Sequence, residues 1–202
     1  MSAPRQFKIN RGRFSRHYTV LDPDGKPLYY VDQSVFTRSK ANLTLHAGGD
    51  ASGAVVAVAH LPRFSFDAKI GLGDPSSPAI VWEELSRESR DASAHEWSLA
   101  LPAGASANGG RKTFVWKRTH KVSADGMESS ALKMRDLKLV EVATDEVVGV
   151  FTGTRGWSSC GVLQINVGYG QEFDIMATAT MLAIYEKARR RRAAVAAGGA
   201  SS

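Results

Sequence analysis

The stretch Glu172-Phe-Asp-Ile-Met-Ala-Thr-Ala-Thr-Met-Leu-Ala-Ile-Tyr-Glu-Lys-Ala-Arg-Arg190 decides how this chain folds. It reads as a helix, with Glu172 and Asp174 in its first turn and Lys187, Arg189 and Arg190 in its last, as the helix macrodipole favours. Phe173, Ile175, Met176, Met181, Leu182 and Ile184 leave it almost no polar face. A helix that is apolar all round must be buried on every side. The residues before it break into short β-branched runs bounded by turns, so the expected fold is mainly β, a sheet wrapped around this helix.

Working outward, His17-Tyr-Thr-Val-Leu and Pro27-Leu-Tyr-Tyr-Val31 flank Asp22-Pro-Asp-Gly25, which supplies Pro at the second turn position and a Gly that tolerates positive φ. These residues read as a hairpin. Further strands are expected over 42–46 and 55–61, with Gly48-Gly-Asp50 turning the chain between them. The run 64–70 alternates, with Phe64, Phe66, Ala68 and Ile70 on one face, which predicts a half-buried strand. Ile80-Val-Trp82 and Trp97-Ser-Leu-Ala-Leu101 are shorter candidates. Pro102-Ala-Gly-Ala-Ser-Ala-Asn-Gly-Gly110 reads as a loop. Strands then follow over 113–122, 137–142, 147–151 and 161–167. Counted in this way the chain holds roughly ten strands ahead of one helix, without an internal repeat.

Length and composition fit one domain, 202 residues of which 43% are hydrophobic and 23% charged. The net charge is +6, and its placement says more than its size. Residues 1–21, 111–121 and 187–192 each carry five Lys or Arg and no acid, so the remainder of the chain is net acidic. Basic charge grouped this way favours anionic partners, although solvated strand faces and tails produce similar runs. Cys160 is the only cysteine, which excludes an internal disulfide framework and a cysteine-based zinc cluster and fits a reducing compartment. The N-terminal sequence lacks the apolar core of a secretory signal, and no run is long and apolar enough to span a bilayer. The expected location is cytoplasmic, with peripheral membrane or nuclear placement as the further options.

Signs of catalysis are missing from this inventory. His17, His46, His60, His95 and His120 are scattered, with no ligand-like spacing to one another or to Cys160. There is no Gly-x-Ser-x-Gly elbow. Ser158-Ser-Cys160 reads as turn chemistry, and a lone Cys as a small hydrophobe. Gly168-Tyr-Gly170 opens the helix, but Glu172 and Asp174 would repel phosphate there, so capping is its role. A non-enzymatic protein without metal or cofactor is expected.

The basic runs carry more information. Along 112–121, alternation places Phe114 and Trp116 on one face with Arg118 and His120, and Lys117 and Lys121 on the other. The aromatics then fill the interior while the bases face an anionic partner or simply protect an exposed strand from edge pairing. Lys187-Ala-Arg-Arg-Arg-Arg192 reads as a helix C-cap, a nuclear-localisation-like patch or a membrane-proximal cluster. Four consecutive arginines exceed what dipole compensation needs.

Phe114-Val-Trp-Lys-Arg-Thr119, Leu137-Lys-Leu-Val140, Thr144-Asp-Glu-Val-Val-Gly-Val-Phe151 and the helix from Phe173 to Arg190 occur in an order that resembles the tubby C-terminal-like superfamily. That superfamily includes the LURP-one-related proteins and phospholipid scramblases, and the likeness is greatest to its small fungal-type members, over about residues 15 to 190. The resemblance implies a closed antiparallel barrel of about twelve strands threaded by the C-terminal helix. For tubby proper it also implies phosphoinositide binding through surface bases. The cysteine-rich lipidation segments of the scramblases have no counterpart here, so lipid translocation is not expected.

Together these readings predict a flexible basic arm over 1–14, a barrel domain over 15–190 and a disordered tail over 191–202. The expected function is peripheral binding of anionic phospholipid headgroups. Local charge nominates Lys112, Lys117, Arg118, Lys121, Arg189, Arg190, Arg191 and Arg192 as the binding residues. The alternatives are a regulatory protein-interaction scaffold without a lipid ligand, or nucleic-acid binding through the same clusters. Nucleic acid is disfavoured because Phe114 and Trp116 read as core and not as stacking platforms.

Overall fold

The structure is a computed structural model and describes residues 3–12, 15, 17–34, 40–63, 65–88, 94–103, 110–128, 136–154 and 158–198. Its strands are β1 (Arg5–Asn10), β2 (His17–Leu21), β3 (Pro27–Gln33), β4 (Leu43–Ala47), β5 (Val55–His60) and β6 (Ala68–Leu72). They continue as β7 (Val81–Arg87), β8 (Ala94–Leu101), β9 (Gly110–Arg118), β10 (Leu137–Glu141), β11 (Val147–Gly153) and β12 (Ser159–Ile165). One helix follows, α1 (Gln171–Gly198).

All twelve strands form one closed barrel in which each pairs with its chain neighbours and β1 pairs with β12. The hydrogen-bonding edges are thereby eliminated. Inward positions alternate along the strands as burial demands, for example Tyr18 and Val20 on β2 and Leu43 and Leu45 on β4, all with no exposed surface. The centre of the packing is the first part of α1 itself, where Phe173, Met176, Ala177, Ala179, Met181, Leu182 and Ala183 are fully buried in the lumen. Trp97, Phe114 and Phe173 pack at tilted angles around the start of the helix, with Phe114 and Phe173 ring centres 5.0 Å apart. Midway, Trp116 donates its indole N–H to Thr180 Oγ1 at 2.9 Å, so the one polar atom of this core ring is satisfied inside the barrel.

The turns match their sequence. In the hairpin between β2 and β3, Gly25 takes φ 84° and its N–H donates to the Asp22 carbonyl. Between β10 and β11, Asp145 sits at φ 55°, a conformation that Asp tolerates better than most side chains. Gly161 on β12 is required for a different reason, because a Cβ there would lie 2.3 Å from the Thr152 carbonyl oxygen of β11.

Antiparallel connectivity sorts the connections to two ends. The chain passes from β1 to β2, β3 to β4, β5 to β6, β7 to β8, β9 to β10 and β11 to β12 at the end where α1 leaves the barrel, here called distal. The other connections, including that from β12 into α1, lie at the proximal end. Contacts along the helix agree: Arg5 at the start of β1 holds Asp174 at 2.8 Å, while Tyr18 near the start of β2 reaches Glu186 at 2.6 Å.

Three sequence expectations give way. Residues 5–10 are no arm but β1, the strand that closes the barrel, and Phe7 and Ile9 are in its core. The basic residues of the window masked this role, since Lys8 separates Phe7 from Ile9 and Arg5, on their face, reaches Asp174 of the helix. The strand read over 64–70 begins only at Ala68; Phe66 is 40% exposed in the connection before it, and Phe64 lies outside the described residues. Finally, α1 runs on through Arg191, Arg192 and Ala193 to Gly198 where a disordered tail was expected, an alanine-rich segment with high helix propensity. Residues 199–202 of that expected tail lie outside the described residues. Because its exposed part starts near Arg191, about 12 Å of helix stands clear of the barrel.

Removing residues 1–10 should therefore open the barrel between β12 and β2 and strip the cover from Phe173 and its neighbours. Thermal unfolding followed by circular dichroism should show a large loss of stability or of cooperativity; an unchanged midpoint would mean that β1 is dispensable.

Candidate functional site

The two ends differ in charge. Proximal connections carry Asp22, Asp24, Asp50, Asp74, Asp145 and Glu146, with Lys26 the base among their described residues. The distal connections and the emerging helix carry Arg11, Lys40, Arg63, Lys121, Lys187 and the arginines 189 to 192, with Arg87 and Arg118 at adjoining strand ends. Distal acids are also present, among them Asp67, Glu88 and Asp125, but they are outnumbered.

Glu186 organises this end. Its carboxylate is fully buried and accepts from Tyr18 Oη at 2.6 Å, from Arg189 Nε and Nη2 at 2.7 Å, and from Arg190 Nε at 2.7 Å. Burial pushes its pKa up, but the bonds from Arg189, Tyr18 and Arg190 outweigh that and hold it below the ordinary carboxylate value. Burial beside the same carboxylate raises the Tyr18 hydroxyl. One negative charge thus anchors two arginines at the mouth of the barrel.

The next residue, Lys187, is 9% exposed and donates to the backbone carbonyls of Ser65, at 3.0 Å, and Asp67. Phe66 lies between those residues, and the guanidiniums of Arg87 and Arg191 stand 4.1 and 4.2 Å from its ring centre. Two like charges are therefore held against one aromatic ring. Beneath them His95, 8% exposed, has an Nδ1 without a hydrogen-bond partner. Burial first, then Lys187, Arg191 and Arg87, with Asp67 opposing, push the imidazole down to about 4. Burial, Arg191 and Arg190 bring Lys187 down to about 8, with Asp67 again opposing. Buried donors without partners recur at this end: Arg11 Nε, Arg87 Nε and Arg190 Nη2 as well as Gln33 Nε2 on the last residue of β3.

The structure divides the residues nominated by sequence. Arg189, Arg190, Arg191 and Arg192 lie on α1 at the distal end, the first two bound to Glu186 and the third against Phe66. Lys117 and Arg118 end β9 and Lys121 follows in the distal connection, on the same rim but three strands round from β6. Lys112 does not belong with them. It sits near the proximal end, where its ammonium meets buried Glu141 at 2.6 Å and lies over the Tyr169 ring. Its alternation with Phe114 and Trp116 gave it an inward direction that local charge counting ignored. Arg63, Arg87, Phe66 and Glu186 were not singled out by sequence. Only Glu186 left a local signal, an acid with arginines at i+3 and i+4 on an otherwise apolar helix.

No protein-family profile matches the chain, and no curated protein does. Among solved structures it is similar to an Arabidopsis thaliana protein, AT5G01750, determined by X-ray crystallography, with 14% sequence identity, a TM-score of 0.53 and 89% of each chain covered. At that identity the likeness is one of fold, a barrel shared along nearly the whole length of both chains. Among the described residues no helix is long and apolar enough to cross a membrane, and no group of three or more His, Cys, Asp and Glu stands in metal-binding reach.

Replacing Glu186 by Ala should leave Arg189 and Arg190 uncompensated and destabilise the fold by about 3–5 kcal/mol in urea unfolding. His95 should give stability a pH dependence of its own. The unfolded chain takes up its proton near pH 6.5 and the folded chain only near 4, so the stability from neutral His95 is complete above pH 6.5 and lost as pH falls toward 4. Unfolding free energies of the wild type and His95→Leu should therefore differ in slope across that window and run parallel above it.

Proposed function

We propose that this protein is a non-enzymatic, LURP-one-related tubby-like barrel that docks peripherally on membranes by binding anionic phospholipid headgroups at its distal end. The observation that carries the reading is the gathering of bases from four separate connections, two adjoining strand ends and α1 at one end, with acids at the other. Such a charge dipole orients the barrel on a negative surface, helix foremost. Each base near an anionic leaflet contributes about 1 kcal/mol, so several together support reversible docking. The projecting helix suits that pose. Its arginines 189 to 192 are followed by Ala193, Ala194 and exposed Val195, which places cations at headgroup level and an apolar tip ahead of them.

The order of the motifs from Phe114 to Phe151 and the threaded helix support the family reading, together with the barrel likeness to the Arabidopsis protein. Full burial of Phe114 and Trp116 favours lipid over nucleic acid, because neither ring is available to stack on a base.

Sedimentation with vesicles tests the proposal. Vesicles rich in anionic phospholipid should retain the protein at low salt and release it as salt rises, and neutral vesicles should not retain it. Arg118→Glu with Lys121→Glu, or Arg191→Glu with Arg192→Glu, should each weaken binding about tenfold or more. Lys26→Glu at the proximal end should leave it unchanged. Equal retention on neutral and anionic vesicles, or none on either, would dismiss the reading.

A further inference from the structure

At the distal rim a cavity of about 480 Å³ opens between the connection from β5 to β6 and the face of α1 that leaves the barrel. Leu61, Pro62, Arg63, Lys187, Arg190 and Arg191 are among its walls. The volume suits one small ligand or headgroup, since such sites generally enclose about 300–1,000 Å³.

Its cations are positioned before any ligand arrives. Lys187 is fixed by two backbone carbonyls, Arg190 by Glu186 and Arg191 by the face of Phe66. Glu186 and the Asp67 carboxylate, which opposes the loss of basicity at Lys187, set two negative charges against Lys187, Arg189, Arg190 and Arg191, so the cluster stays net positive. Carbonyls and an aromatic ring carry no formal charge, and the single charge of Glu186 is shared between Arg189 and Arg190. Arg190 also keeps a buried Nη2 with no partner, and Lys187 is nine-tenths or more buried. Converging, partly desolvated cations repel one another, and the depressed basicity of Lys187 and Arg191 has burial as its largest cause and neighbouring arginines as the next. An anion in the cavity would supply the missing acceptors and relieve that repulsion together.

We infer that this cavity is a site for one phosphomonoester group, with the Arg190 and Arg191 guanidiniums on its oxygens, Lys187 as a point charge behind them, and Leu61 and Pro62 against the apolar part of the ligand. A phosphomonoester carries about −1.5 to −2 charge and three strong acceptor oxygens at neutral pH, which matches several uncompensated cations where one carboxylate would not. Planar guanidinium forks fit that geometry. The inference rests on the membrane-docking proposal for its lipid source, but the same chemistry serves a soluble phosphate ester. It adds to that proposal a site with one-to-one stoichiometry and a preference for monoester over diester phosphate, neither of which diffuse surface charge provides.

The full chain is titrated by calorimetry with phenyl phosphate, and its sedimentation is compared on vesicles containing phosphatidic acid, a monoester lipid, and on vesicles matched in charge with phosphatidylglycerol, a diester lipid. Two variants accompany it: Ala194→Trp, which obstructs the cavity from an exposed helix position on its wall, and Arg190→Gln with Arg191→Gln. Circular dichroism confirms that both are folded. The expected result is one phenyl phosphate per chain, weakened about tenfold or more in either variant, and a phosphatidic acid preference that Ala194→Trp abolishes while salt-sensitive background binding remains. Binding of phenyl phosphate without retention on vesicles would keep the site as one for soluble phosphate esters and remove the membrane proposal. Equal retention on both vesicle types, undiminished by Ala194→Trp and without phenyl phosphate binding, would overturn the site and leave membrane docking by diffuse charge. Absence of binding in every arm would overturn both.

Discussion

Enclosure of α1 is the constraint on which the rest of this structure depends. From Phe173 to Ala183 the helix offers water no acceptable face, and Phe173, Met176, Met181 and Leu182 are without exposed surface. An open sheet would cover only one side of such a helix. A closed barrel covers all of them and removes its own edges in the same step. β1 is consequently as necessary as any later strand, because without it the wall between β12 and β2 is missing.

Closure also dictates where polarity is tolerated. In the lumen Trp116 and Thr180 are partners for each other, whereas the buried indole N–H of Trp97 has none. Charge on the helix appears where it reaches the mouth, and Glu186 marks the transition. Fully buried, it is sustained by Tyr18 and two arginines, and it fixes those arginines in return. The depressed carboxyl pKa expresses a local balance in which these bonds exceed the cost of burial. The proximal mouth is built on the same logic with Asp174 bridged to Arg5 and Glu141 to Lys112 and Tyr169. There Arg5 and Lys112 each meet an acid and the account closes. At the distal mouth it does not, since Lys187, Arg87 and Arg191 are arranged around carbonyls and a phenyl ring. The difference between the two mouths is what makes the distal end the functional candidate.

Legibility in the sequence followed the range of the interaction concerned. The helix, the hairpin at Gly25 and most strands rest on local propensity and periodicity, and they were readable. The core assignment of Phe114 and Trp116 was readable for the same reason. β1 was hidden because its bases resembled a solvated arm, and its pairing partners lie more than 140 residues away on β12. Phe66 was read as an inward strand residue because alternation began before the strand did. Lys112 was grouped with Lys117 by proximity in sequence, although the length of β9 carries one toward each mouth of the barrel.

By itself, then, the sequence determined that a β-rich chain must surround an apolar helix, which residues fill the lumen, and that positive charge comes in runs. Those are consequences of hydrophobic periodicity, turn chemistry and composition, all of them local. Tertiary structure alone decided which bases share an end. In an antiparallel barrel successive connections alternate between the two mouths, so Arg63, Arg87, Lys187 and Arg191 meet although up to 128 residues separate them. Their meeting, the ring of Phe66 between two guanidiniums and the cavity beside it arise from closure of the sheet, a property of the whole chain that no single window contains.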